Sequence, residues 1–522
     1  MTNCIQSVFK SPIISRAEIV VIRAASVTNY SREVTPVYYP NHGGFNVEKA
    51  SFCNVTVSYT HPGDGDLVTS EAWLPDTGWN SRLQAAGGSG LGPGRFDLSY
   101  GAMTGAIGEG YATISTDAEI SNPLDPYSWV LNSLGEVDTV AIQHLGGDTL
   151  NDMAMIAKSV IQDFYGKPPD YSYFNGCSQG GRQGFEMAQR HPTAYNGITA
   201  SAPAIHWAQW APAMFWPQIL VKIMGEYPRG CELDTLTSLA VQECDGDDGV
   251  RNGIVLTPKT CSFDPFQYVG TGFFCATENR STMISRAAAI IASASWYGVS
   301  HGTDLSSDVT GTRIAATKCN ENLCKSNPVP LTYQWIQIFV EKNPEYNYTA
   351  MAWEEFGKIM RQSGAEYDSV VAGSNPNLTE FYKNGGKMLT YHGLVQSPAP
   401  IFRGVLLIIP TCSTTRLYQY KPPKTTTIAL RGLSTMYRTF IASTKSRALH
   451  TAFEMDSRRP LFIVLRAWVE NGMAPNNLPT TFTNGYRKIN NRIICLYPER
   501  AIFKEDCGST NDTACFVYAA KL

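Results

Sequence analysis

Residues 51 to 90 alternate apolar and polar positions with a period of two. "CNVTVSYTHP" and "VTSEAWLP" read as strands, and the turn-forming "GDGD" separates them. "LQAAGGSGLGPG" is a strand running into a glycine loop, and "GYATISTD" is a further strand. From Asp138 to Tyr165 the period lengthens, with apolar Val140, Ile142, Met153, Ile156, Ile161 and Phe164 at helical spacing. The strand "YSYF", a glycine turn, an amphipathic run through Arg190 and the strand "GITASAPA" complete a β-α-β-α alternation. Such alternation predicts an α/β fold. From residue 205 to about 385 the chain is rich in Trp and Cys, with helical stretches around 283–296 and 331–361. The alternation then resumes at "GGKMLTYHG". The pattern predicts a core made of residues 1–204 and 386–522, interrupted by an inserted domain at 205–385.

The chain's 522 residues are enough for a large core and two domains. A formal net charge of -3, with 17% charged residues, gives no reason to expect a nucleic-acid partner. The longest aliphatic run, Val405 to Ile409, is far too short to cross a bilayer. Thirteen cysteines are many for a cytosolic enzyme. Cys231 and Cys244, Cys261 and Cys275, and Cys319 and Cys324 are neighbours able to close short loops. Sequons at Asn29, Asn54, Asn279, Asn347, Asn377 and Asn511 agree with an oxidising, secretory history. The opening "MTNCIQSVFKSPIISRAEIV" lacks the apolar core of a signal peptide, so the gene is expected to start upstream of Met1.

The stretch "YSYFNGCSQGGRQG" carries the central chemistry. Gly176-Cys177-Ser178-Gln179-Gly180, set between a strand and a helix, has the form of a nucleophile elbow. Small residues are needed there because side chains at the flanking positions would strike the neighbouring strand and helix. The pentapeptide alone is a weak signal. Its strand–turn–helix context and the separate upstream loop Gly87-Gly88-Ser89-Gly90 favour a nucleophilic Ser178 over a structural glycine loop. Backbone N–H groups of Gln179 and of the Gly87-Gly88 loop are the expected oxyanion donors. Cys177 is the alternative nucleophile, but the residue before the serine normally points into the structure.

"YFNGCSQGGRQG", "EAWLPDTGWNSRLQAAGGSG" and "LRAWVENGMAP" together resemble the fungal tannase and feruloyl esterase family, over most of residues 51–394 and again from about 461 to 518. The resemblance implies an α/β-hydrolase core with a large inserted lid. It implies hydrolysis of aromatic carboxylic esters of the feruloyl or galloyl type, such as small phenolic esters or those of plant cell walls, through an acyl-enzyme on Ser178. Members of the family are secreted. Their active sites combine a Cys-Ser pair, an Asp and a His-Cys pair, with a disulfide between the two cysteines, so Cys177 would be a structural half-cystine. Trp207, Trp210 and Trp216 of the lid would line an acyl pocket or, more simply, pack its core.

"CDGDDGVRNGIV", Cys244 to Val255, gathers carboxylates, an amide and glycines that suit a hard, oxygen-seeking cation. It is not an EF-hand, because the twelfth position from Asp245 is Leu256. From spacing alone a solvated acidic turn is the simpler reading. The resemblance implies a structural Ca²⁺ site, with side chains of Asp245, Asp248 and Asn252 and carbonyls of Val250 and Ile254 as ligands. Asn252 stands where the family usually has Asp, which removes one negative charge and should weaken binding.

The rest of the triad is harder to find. After Tyr391-His392-Gly393 no Asp or Glu occurs until Glu454, and no histidine is followed by cysteine. His392 belongs to the loop expected to carry the Asp, and reads as structural. His450 is the only histidine near the expected place, although "SRALHTAFEMD" does not match the family. The tract 395–460 is rich in Lys, Arg, Ser and Thr and carries Pro422-Pro423. Its Arg447-Ala448-Leu449-His450 can be written in codons that give Gly-His-Cys when read one base later. A frameshifted or mis-spliced segment is therefore expected there, with poor local order and a free Cys177 thiol. The rival readings are a degenerate hydrolase that binds phenolic esters or is inactive as translated, and a serine peptidase using the same elbow.

Overall fold

The computed structural model of the chain describes residues 4–120, 122–246, 249–251, 261–297, 314–320, 323–393, 437–442, 454–455, 460–483, 489–495, 500–504, 506–509 and 511–519. Two long strands, β1 (Glu18–Val34) and β2 (Phe45–Thr60), pair antiparallel, and Cys4–Cys53 fastens the chain ahead of β1 to β2. β3 (Val68–Pro75) continues the antiparallel edge. β4 (Arg82–Ala86), β5 (Ala112–Thr116), β6 (Tyr171–Cys177) and β7 (Gly197–Ser201) form the parallel centre. Two small hairpins of the insert follow, β8 (Gly272–Cys275) with β9 (Arg280–Met283) and β10 (Thr317–Cys319) with β11 (Cys324–Ser326). The chain then returns through β12 (Lys387–Gly393) and β13 (Tyr437–Ala442). The resulting nine-stranded sheet has the order β1-β2-β3-β5-β4-β6-β7-β12-β13.

The strand alternation of the sequence becomes two packed faces. Val55, Val57, Tyr59, Phe174 and Ile198 join one core with the helices α3 (Asp148–Tyr165) and α4 (Gln179–Arg190). On the other face, Phe52, Trp73 and Tyr173 pack with α1 (Asp97–Gly108) and with Leu461, Phe462, Leu465 and Trp468 of the helix Leu461–Asn471. This is the three-layer α/β arrangement expected. The helical run from Asp138 is divided: α2 (Thr139–Gly146) stops at Gly147, whose φ of 141° is closed to other residues, and α3 starts afresh.

The insert has its own core, in which Trp207, Trp210 and Trp335 are buried together with Phe339, Phe356 and Ile359. Trp216 packs on that core beside Trp353 and Phe356. These tryptophans therefore serve as packing. Ile120, Trp129, Ala141, Ile142 and Leu145 join the same core, so it also draws on residues before 205. The helix expected over 331–361 is interrupted, with helical turns at 330–340 and a separate helix Trp353–Val371.

Four of the insert's six cysteines do not pair with their sequence neighbours. Cys231 bonds Cys275 and Cys244 bonds Cys261, one loop nested in the other, while Cys319–Cys324 closes the β10–β11 turn as expected. Cys507–Cys515 closes the last hairpin, between Arg500–Phe503 and Phe516–Ala519. Within 395–460, where poor local order is expected, residues 437–442 form an aromatic and β-branched strand paired parallel to β12. Glu454–Met455 likewise pairs with the strand Asn477–Thr483. Most of the remaining tract lies outside the described residues.

Candidate active site

β6 ends at Cys177 and α4 begins at Gln179, which leaves Ser178 alone on the turn with φ 60° and ψ -116°. A non-glycine residue held there costs about 1–3 kcal/mol, so the surroundings must enforce it. They do so with backbone hydrogen bonds. The Ser178 N–H donates to the Ser201 carbonyl at 3.0 Å, and the Ser178 carbonyl accepts from Arg182 and Ala204, each at 3.0 Å. A Cβ at Gly176 would lie 2.3 Å from the Gly180 carbonyl oxygen, which explains the small residue before the turn. Ser178 is half-buried, and its hydroxyl makes no hydrogen bond among the described residues.

The glycine loop after β4 lies directly against this turn. The Gly180 N–H donates to the Gly88 carbonyl at 3.0 Å, and a Cβ at Gly88 would come within 1.9 Å of the Gly92 carbonyl oxygen. The Gly88 N–H, expected as an oxyanion donor, is instead taken by Gln183 Oε1 at 2.8 Å, and the Gly87 N–H by the Asn175 carbonyl at 3.0 Å. The loop's glycines thus provide close approach, and its amides are committed to holding it. Gln179 keeps a backbone N–H at the first position of α4, where no carbonyl of the helix can reach it. That N–H remains the candidate donor toward an oxyanion.

Two residues of the same motif, Arg182 and Gln183, carry roles that the sequence reading did not assign. Both side chains are fully buried. Gln183 bridges the loop, accepting from Gly88 and donating to the Pro93 carbonyl at 2.9 Å. Arg182 donates to Gln179 Oε1 at 2.8 Å and to the last carbonyls of α2, Leu145 at 2.5 Å and Gly146 at 3.0 Å. Burial lowers its pKa to about 10, partly offset by Glu186, so it stays cationic at neutral pH. A positive charge at a helix C-terminus is favourable. The available signal was the spacing of Gln179, Arg182 and Glu186, which puts all three polar residues on one face of a helix packed in the core.

Among the described residues, Cys177 forms no disulfide. Although the residue is partly exposed, protein encloses its thiol, and burial pushes the pKa up to about 11. A thiol so placed is protonated near neutrality, which argues against a catalytic thiolate. β12 lies on the far side of β7, and its Tyr391 carbonyl accepts from Ala202 at 2.8 Å. His392 sits on that strand opposite Ile441. His450, the candidate base, lies outside the described residues.

In the acidic loop only Asp245 and Val250 of the expected ligands are described; Asp248, Asn252 and Ile254 are not. Asp245 caps the helix Gly230–Cys244, and Cys244–Cys261 ties the two ends of the loop together. Val250 is buried against Ala501, Cys515 and Phe516 of the C-terminal hairpin.

Residues 53–517 match the family described as tannase and feruloyl esterase. A probable feruloyl esterase of Arthroderma benhamiae is 32% identical over 91% of this chain and 87% of its own length. A tannase of Aspergillus oryzae is 25% identical over 90% and 86%. Among solved structures, a tannin acyl hydrolase from Aspergillus niger superposes with a TM-score of 0.81 at 23% identity, covering 99% of this chain and 95% of that one. Feruloyl esterase B from Aspergillus oryzae gives 0.71 at 19%, covering 97% of each chain. The chain belongs to the tannase and feruloyl esterase family, carboxylic ester hydrolases built on an α/β-hydrolase fold.

Proposed function

We propose that the chemistry of this chain is hydrolysis of aromatic carboxylic esters, feruloyl or galloyl in type, through an acyl-enzyme on Ser178. The observation that carries this reading is the enforced positive φ of Ser178 at the head of α4, beside the Gln179 N–H, which has no partner among the described residues. Attack by Oγ on the ester carbonyl forms the tetrahedral intermediate, and the Gln179 N–H stabilises the charge on its oxygen. Loss of the alcohol leaves the acyl-enzyme, which water then hydrolyses. The names of the relatives support the aromatic acyl group, and the disulfides support a secreted protein acting on phenolic or plant cell-wall esters.

A serine ester hydrolase also needs a histidine base and a carboxylate behind it. The lack of an Asp or Glu between Gly393 and Glu454, and of any histidine followed by cysteine, favours a second reading, in which the literal chain is a degenerate hydrolase that binds such esters without turning them over. Turnover of methyl ferulate and methyl gallate separates the two. The 522-residue chain should be slower by about 10⁴-fold than a form whose reading frame across 395–460 is restored from genomic DNA, the scale set by defects in a serine triad. In the restored form, Ser178→Ala should abolish hydrolysis, and retention of more than about a hundredth of the activity would remove Ser178 as nucleophile. An open genomic frame without His-Cys would sink the frameshift account. Turnover of matched amides at the ester rate would indicate a peptidase instead.

The acidic loop is proposed as a structural Ca²⁺ site that orders the lid. Its support is the donor set, carboxylates of Asp245 and Asp248, the Asn252 amide and carbonyls of Val250 and Ile254, in a loop whose ends are fixed by Cys244–Cys261. A calcium chelator should lower the thermal midpoint, because a ligand held only by the folded state stabilises it. A midpoint indifferent to chelator at matched ionic strength leaves the loop a solvated turn.

A further inference from the structure

Away from the nucleophile, four segments bring two imidazoles and three carboxylates together. His61 follows β2, Asp66 lies in the β2–β3 loop, His144 is in the last turn of α2, and Asp152 is in the first turns of α3. Glu119, the fifth, follows β5. One ligand atom from each of His61, Asp66 and His144 lies within 4.8 Å of the other two. We propose that these three side chains bind a divalent transition ion, zinc by their chemistry, at a structural site separate from the acidic loop of the lid.

The division of roles among the atoms carries the proposal. Asp66 Oδ1 accepts from the backbone N–H of His61 at 2.6 Å and from Thr60 Oγ1 at 3.0 Å, which fixes the carboxylate. Its Oδ2 then faces both rings, 2.6 Å from His61 Nδ1 and 3.6 Å from His144 Nε2. The opposite nitrogen of each ring faces a second carboxylate: His61 Nε2 is 3.2 Å from Asp152 and His144 Nδ1 is 3.4 Å from Glu119. Metal-bound histidines characteristically present their other nitrogen to a carboxylate, which fixes the tautomer. Both rings turn one nitrogen toward the same Asp66 oxygen and the other toward a separate carboxylate.

Burial sharpens the point. The Asp66 side chain is inaccessible and that of His144 is 4% exposed, yet His144 Nδ1 has no partner meeting hydrogen-bond geometry. A neutral imidazole can donate from only one nitrogen, whereas both nitrogens of His144 face acceptors. A cation at Nε2 resolves this, leaving the Nδ1 proton for Glu119. Two imidazoles and one carboxylate form a borderline donor set, suited to zinc and poorly suited to calcium or magnesium. Ligand bonds of 2.0–2.2 Å in a tetrahedron place ligand atoms about 3.3–3.6 Å apart. The Asp66–His144 separation already has that value, and His61 must retreat by roughly 0.7–1 Å to match it. Water would fill the fourth position. The site would pin the β2–β3 loop to α2, whose terminal carbonyls Arg182 holds next to the nucleophile turn.

The test uses the full chain, stripped with a chelator, re-saturated with calcium so that the lid loop is occupied, and then titrated with zinc chloride. Zinc content by mass spectrometry should reach one ion per chain, the thermal midpoint should rise, and Co²⁺ in place of zinc should show the visible d–d bands of a tetrahedral site. His144→Ala should lose both the ion and the midpoint shift. Asp152→Asn, which alters only the carboxylate behind His61, should weaken zinc binding by about 10–100-fold. Absence of retained zinc in the parent chain, or zinc retention unchanged in His144→Ala, would overturn the site. Should His144→Ala not fold, the Co²⁺ spectrum of the parent chain decides, and a spectrum without tetrahedral bands rejects the proposal.

Discussion

The first part of the hydrolase core and the part that returns after residue 386 are built on different terms. Up to residue 204, the nucleophile turn is closed by residues near it in sequence and by the glycine loop: Ser178 on Ser201 and Ala204, Gly180 on Gly88, and Gln183 on Gly88 and Pro93. The returning part is attached by strand pairing of β12 with β7 and by the helix Leu461–Asn471. Its polar attachments include a cluster in which Glu470 accepts from Arg82 at 2.8 and 2.6 Å and from Tyr173 at 2.7 Å. The hydrogen bonds that hold the strained Ser178 turn thus come from residues before 205. The shape of the elbow is evidence of ancestry and of a nucleophile's position. In the proposed mechanism, turnover depends on the other part.

The larger of two perturbations should fall on the turn itself. Arg182→Met keeps much of the aliphatic stem but leaves the Leu145 and Gly146 carbonyls, Gln179 Oε1 and the Glu186 carboxylate without their cation. Removing one partner from such a buried arrangement costs about 3–5 kcal/mol. Urea denaturation should register this as a large drop in midpoint. A loss under about 1 kcal/mol would mean that water replaces the guanidinium, and that the turn is less dependent on α2 than its hydrogen bonds indicate.

How far the sequence could foretell this architecture depended on whether the cause was local. The elbow was legible because its steric demands fall on consecutive residues, as Gly176 and Gly180 show. Strands β2 to β7 were legible because alternation records which side faces a core. Partner choice was not legible. Cys231 takes Cys275 and Cys244 takes Cys261 because the fold nests the two loops, something spacing cannot express. Arg182 and Gln183 are polar positions of an amphipathic run, and the sequence does not reveal that α2 and the glycine loop cover them. The amides of Gly87 and Gly88 looked available because the sequence does not reveal that Asn175 and Gln183 already use them. The convergence of His61, Asp66 and His144 was invisible for the same reason: it spans 84 positions of chain, from 61 to 144 inclusive, with no motif to announce it.

The smaller perturbation tests the seam. Burial opposes charge on Glu470, but hydrogen bonds from Arg82 and Tyr173, with Arg466 nearby, outweigh it and hold the carboxyl at about 2. An unfolded glutamate titrates near 4.3, so the folded value is depressed, and the stability it contributes is complete above about pH 4.3. That contribution should fade as pH falls toward 2. Glu470→Ala should therefore cost about 1.5–3 kcal/mol at pH 7, the range for hydrogen bonds to a charged group. The difference between parent and variant urea midpoints should shrink steadily from pH 4 downward. A difference undiminished at pH 2 would assign the seam to the packing of Leu465 and Trp468 against the sheet. The returning half would then be held as its strands are, by apolar contact and backbone pairing, and the contrast with the polar, locally locked nucleophile turn would be sharper still.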